Sequence, residues 1–144
     1  MTEKDLFRYK DAVLEERRRR QLLIENETRI NALRSPVTPT PPSHSGDSTG
    51  RIAADLDRLD RCRAKLKEAI EDVALAELIL ERARRMLDER ERAVFDLLYF
   101  GYTVKGGERI FCTVAETAKR LNYAQSTVYT IRRQILSKIA GVAA

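Results

Sequence analysis

Between Thr113 and Ala144 the chain carries five Lys or Arg residues and a single acid, Glu116. Among those cations stand Gln125, Ser126, Thr127, Tyr129, Thr130 and Arg133. Short hydroxyls, an amide and a guanidinium beside surplus positive charge are groups that suit base edges and phosphates of double-stranded DNA. No catalytic or metal chemistry competes for the same reading. There is no Gly-rich phosphate loop, and the one histidine, His44, lies in a Pro/Ser run. Cys62 and Cys112 fall in different segments, which gives neither a ligand cluster nor a disulfide framework. The expectation is a binding protein, not an enzyme, with no cofactor and no metal.

Groups of that kind read a duplex only if something rigid presents them. The stretch "VAETAKRLNYAQSTVYTIRRQ", Val114 to Gln134, has the parts of a helix-turn-helix. Small Ala118 marks where two helices cross, and Asn122 is a residue tolerant of positive φ in the turn. Leu121, Tyr123, Val128 and Ile131 are the apolar anchors, and Thr113 is the N-cap of the first helix. Gln125, Ser126, Thr127, Tyr129, Thr130 and Arg133 then fall on or near the outward side of the second helix. Lys119, Arg120 and Arg132 are assigned to phosphates. The competing structural reading is an ordinary helical hairpin inside an all-α core.

The rest of the chain reads as long helices. Residues 1–34 form a charged helix with an imperfect apolar stripe, broken by "EERRRRQ". The Arg17–Arg20 run reads as a solvated surface balanced by Glu15 and Glu16 more readily than as a phosphate clamp. All four prolines lie in "SPVTPTPPSHSGDSTG", a flexible linker over residues 35–50. Residues 51–87 repeat Ile52, Leu59, Leu66, Val73, Leu80 and Leu87 every seven positions. Cys62, Ala69, Ala76 and Ala83 follow the middle four at three residues' distance. Such a large/small seam suits a coiled coil with a closely packed, antiparallel partner. Around "AIEDVALAELIL" apolar groups spread beyond one stripe, which calls for a second neighbour and makes a homodimer the expected oligomer. No apolar run approaches a membrane span, so the chain is placed in the cytoplasm. The fold expected is mainly α: two long coiled-coil-type helices joined by a Pro/Ser-rich linker, then a domain over residues 88–144.

That last domain resembles a known family. "LDERERAVFDLLYFGYT" followed by "VAETAKRLNYAQSTVYTIRRQILSKI" is similar to region 4 of bacterial sigma factors. The whole layout resembles the small phage transcriptional regulators of the RinA and ArpU type. The resemblance implies sequence-specific DNA binding, activation of phage late genes in a bacterial host, and DNA contacts at Gln125, Ser126, Thr127, Tyr129 and Arg133. Contact with RNA polymerase is a further implied partnership. Two alternatives remain beside it: a small terminase-like subunit that recognises phage DNA for packaging, and a sigma-like module that binds polymerase instead of DNA. The chain departs from the family pattern twice. Ala124 stands where the family usually has a Ser cap, and "VKGGERIFC" is inserted before the helix-turn-helix. The insertion reads as a short β-hairpin turning at Gly106-Gly107. It is either a wing that brings Lys105 and Arg109 to phosphate or, slightly favoured, a surface element packed through Ile110 and Phe111.

Overall fold

A computed structural model describes residues 1–34 and 45–143, and the protein is mainly helical. The elements in order are α1 (Glu3–Arg34), α2 (Ser45–Arg85), α3 (Glu89–Phe95), a π-helical turn (Asp96–Phe100), β1 (Tyr102–Thr103), β2 (Arg109–Ile110), α4 (Val114–Leu121) and α5 (Gln125–Ile139). His44 and the prolines of the expected linker lie outside the described residues. Residues 45–50, assigned to that linker from sequence, belong instead to α2. No proline follows Pro42, and Gly46 and Gly50 each cost a helix only about 1 kcal/mol, too little to stop one.

Two compact units form, one from Met1–Leu14 with Asp72–Ala144 and the other from Glu15–Glu71. They cut across the spans drawn from sequence, because α1 and α2 each run through both. In the Glu15–Glu71 unit the two helices lie antiparallel. Asn26 Nδ2 reaches Cys62 Sγ at 3.5 Å, Arg63 pairs with Glu27 at 3.8 Å, and Arg29 pairs with Asp55. Ile30, Leu59 and Ala69 are buried there, while Ile52, the first residue of the seven-residue repeat, is 45% exposed. Arg18 and Arg19 bond Glu15, and Arg20 bonds Glu16, all within one or two helical turns. Exposed pairs of this spacing contribute only a few tenths of a kcal/mol each.

The other unit holds the main core. Leu80, Ala83 and Leu87 from the end of α2 meet Leu6 and Tyr9 from the start of α1. Val94, Phe95, Leu98 and Tyr99 fill the middle, and Ala118, Val128, Ile131, Ile135 and Ile139 close it. The first turns of α1 are therefore structural parts of this unit, because Leu6 and Tyr9 are large apolar groups that find cover only here. Tyr9, Phe95, Phe100 and Phe111 pack edge-on at centroid distances of 5.6–6.2 Å, the arrangement ring quadrupoles favour. Asp88 caps α3 by accepting from Glu91 N–H at 2.8 Å, and Glu91 reciprocally accepts from Asp88 N–H at 3.0 Å. Glu91 is buried and Lys138 from α5 donates to it, so the cap also ties the two helices together.

After Phe95 the helix widens. Gly101 N–H bonds Asp96 carbonyl at 2.7 Å, five residues back, and Arg84 grips the Asp96 carboxylate through two bonds of 2.9 and 3.0 Å. Gly101 has φ 72° and ψ −172°, and a Cβ there would lie 2.4 Å from the Ile110 carbonyl oxygen. Glycine is thus required for more than ending a helix: the returning strand crosses against it. β1 and β2 pair antiparallel, Tyr102 with Ile110 and Thr103 with Arg109, and both Gly106 and Gly107 have positive φ.

Candidate nucleic-acid interface

α4 starts because Thr113 can cap it; Thr113 Oγ1 accepts from Glu116 N–H at 3.3 Å. Its inner side is small: Ala118 and Thr117 are buried, and α5 packs against this helix. Among the described residues Thr117 Oγ1 finds no hydrogen-bond partner. Asn122 ends α4 in the left-handed conformation, φ 55° and ψ 39°, where Asn pays less than other non-glycine residues. Tyr123 N–H returns to the Ala118 carbonyl at 2.9 Å, which fixes the bend. Three residues then separate α4 from α5.

α5 begins without a side-chain cap, since Ala124 has an extended backbone and no oxygen to offer. Thr127 and Val128 N–H groups bond the Ala124 carbonyl. Inward, Val128, Ile131, Ile135 and Ile139 are all buried. Outward, Gln125, Ser126, Thr130 and Arg133 are exposed, Thr127 is half-buried and Tyr129 is 45% exposed. Thr130 Oγ1 donates to the Ser126 carbonyl at 2.9 Å, so its proton is engaged and it faces outward chiefly as an acceptor. Among the described residues Lys119 and Arg133 have no ion-pair or hydrogen-bond partner, and both are exposed.

Two of the cations assigned to phosphates are held by the protein itself. Arg132 donates from Nε to Glu3 Oε1 at 2.7 Å, and its Nη2 lies 2.6 Å from the same oxygen. Tyr99 Oη donates to that oxygen at 2.9 Å. Burial raises the Glu3 carboxyl, but the Arg132 and Tyr99 hydrogen bonds and the Arg132 charge outweigh it and leave it below its ordinary value. Burial pushes the Tyr99 phenol well up. Arg132, assigned to phosphate from the sequence, is thus engaged within the protein as a brace on Glu3. Sequence could not show this, because its partner stands 129 residues away. Arg120 lies 4.1 Å over the Tyr102 ring and donates to Tyr102 Oη at 2.6 Å, which joins α4 to the hairpin while its flank stays exposed. In the hairpin, Arg109 donates to the Phe100 carbonyl at 2.6 Å and sits 5.5 Å from the Tyr9 ring, so the wing reading loses one of its two cations. Ile110 is half-buried and Phe111 packs on the core, as the surface-element reading expects.

One cation was not singled out from sequence. Arg90, in the first turn of α3, stacks 5.2 Å from the Tyr123 ring. With Ser126, Thr127, Thr130 and Gln134 it lines a shallow depression of about 190 Å³ beside the outward row of α5. The signal available in sequence was an Arg preceding the α3 apolar stripe, which reads equally as ordinary helix surface. The outward row of α5 thus presents an amide, hydroxyls, a phenol and the exposed Arg133, with Arg90 beside it, while Lys119 is exposed on α4. No protein-family model, curated protein or solved structure matches the chain.

Proposed function

We propose that the protein is a sequence-specific double-stranded-DNA-binding transcriptional regulator of a phage or prophage, working in the cytoplasm of a bacterial host. In this reading α4 and α5 are a helix-turn-helix of the sigma region 4 kind, and the 125–133 face of α5 enters the major groove. The carrying observation is the two-sidedness of α5. Its inner row is fully buried, whereas its outer row is exposed, polar and, at Arg133, free of any partner among the described residues. Gln125 and Arg133 are the side chains suited to bidentate base readout, and Lys119 and Arg90 flank them as phosphate contacts. The uncapped start of α5 supports the same use. The Gln125 and Ser126 N–H groups and the positive helix end are what a backbone phosphate binds, so DNA would supply the cap that Ala124 lacks. The paired long helices serve assembly as a dimer and contact with RNA polymerase, consistent with late-gene activation.

The test is selection of a random duplex library on the purified chain, followed by affinity measurements across a salt series. An enriched motif and a log–log salt slope of several times −0.9 support the reading. Arg133→Ala should lose about 1–3 kcal/mol on the selected site and little elsewhere. Absence of enrichment together with a flat salt slope would overturn it.

A further inference from the structure

Helix α2 presents an exposed face that nothing among the described residues covers. Leu75 is 62% exposed and Leu78 is 55% exposed, a waste of apolar surface on a helix whose other side is buried at Ala76, Leu80 and Ala83. Ala74 beside them is exposed as well. The charges around these leucines follow a symmetrical order. Glu71 stands four residues before Leu75 and Arg82 four residues after Leu78; Glu68 stands seven before and Arg85 seven after. At about 100° per residue the four charges and two leucines fall on one side of the helix. All four charges are exposed, and among the described residues none has a hydrogen-bond or ion-pair partner. Their neighbours contrast with them: Arg84 is held by Asp96, and Arg61 by Asp57.

From this we infer that the face of α2 centred on Leu75 and Leu78 is a two-fold interface with a second copy of this chain, the two α2 helices running antiparallel. An antiparallel pair whose axis passes midway between the leucines sets Leu75 against Leu78 of the other copy. The same symmetry sets Glu71 against Arg82 and Glu68 against Arg85, each twice. Parallel pairing would oppose Glu71 to Glu71 and Arg82 to Arg82, which repel. Asp72 and Glu81, also paired by this symmetry, point about a quarter turn off the line and stay in solvent. The apolar strip is short, well under the area of a permanent dimer, so association in the micromolar range is expected. The interface names the surface through which the proposed regulator would dimerise, but it does not require DNA binding.

Sedimentation velocity of the full chain without DNA tests it. The wild type should pass from monomer to dimer over micromolar to hundreds of micromolar concentrations. Glu71→Arg alone and Arg82→Glu alone should each raise the dissociation constant by about tenfold or more, since each turns two attractions into two repulsions. An equal mixture of those two variants should associate again, because each then meets its opposite charge. Leu78→Asp should abolish the dimer without altering the helical circular dichroism, as this side chain is mostly in solvent. A wild type that stays monomeric throughout, a mixture that fails to re-associate, or a ring of many copies would overturn the interface. A monomer that still selects a DNA motif would leave the DNA reading standing, whereas a dimer that ignores every duplex would leave only the interface.

Discussion

Arg132 offers the sharpest discrimination, because sequence and structure assign it different jobs. As a phosphate contact, its replacement by Ala would leave folding alone and reduce the magnitude of the salt slope for DNA by about 0.9. As the brace seen here, it should do the opposite. Arg132→Ala removes bonds of 2.6 and 2.7 Å to Glu3 and leaves that carboxylate with the Tyr99 hydroxyl alone. The pair is partly open to solvent, so the loss is about 1–2 kcal/mol of stability and not the value of a buried ion pair. Glu3→Ala should cost more, about 2–4 kcal/mol, because it also strands the hydroxyl of Tyr99, a residue only 1% exposed. The double variant should cost less than the two single losses added, by about 1 kcal/mol of coupling. Urea unfolding followed by circular dichroism gives all three values, and duplex binding at several salt concentrations gives the slope. Arg132→Ala with unchanged stability and a slope shallower by one contact would refute the brace.

Other outcomes follow from single features. Thr117→Val should stabilise the protein by about 1 kcal/mol, since it replaces a buried hydroxyl without a partner by a methyl group of similar shape; a loss in urea unfolding would reveal an unseen partner. Gly101→Ala should destabilise by about 3 kcal/mol or more, from a Cβ 2.4 Å from the Ile110 oxygen and a backbone region that is essentially glycine-only. A thermal midpoint unchanged by that substitution would contradict the close crossing. For pH, the Glu3 carboxyl is held below its ordinary value near 4.5, so its contribution is full above that value and is lost as pH falls through the lowered one. Thermal melts should therefore drop on acidification below about pH 4.5, and less steeply in Glu3→Gln; equal slopes would remove Glu3 from the linkage.

The sequence was most legible where the determinants are local. Thr113 as a cap, Ala118 as a buried small residue, Asn122 in the left-handed turn and the buried Val128 and Ile131 are all set by neighbours within a few positions, and all were readable. The hairpin was readable for the same reason, from Gly106-Gly107. What escaped is long-range. Nothing near Leu6 or Tyr9 reveals that they complete a core with Ile135, and nothing near Arg132 reveals Glu3. The start of α2 escaped for a different reason: a Ser/Gly-rich stretch is compatible with coil, and its helicity from Ser45 is decided by the helix it extends. Arg90 was hidden because its value depends on where α3 lies beside α5, a matter of packing and not of composition.

The insertion of Leu6 and Tyr9 into a core otherwise built from residues beyond 72 bears on how the chain reaches its native state. A ribosome delivers these two side chains about a hundred and thirty residues before the isoleucines of α5, so this core cannot close until α5 has been made. Until then the start of α1 is an exposed apolar stripe awaiting partners, open to chaperones and proteases. The same topology means that a fragment cut at Asp88, tidy as that boundary looks on paper, would lack two of the largest core side chains together with the whole α2 contribution.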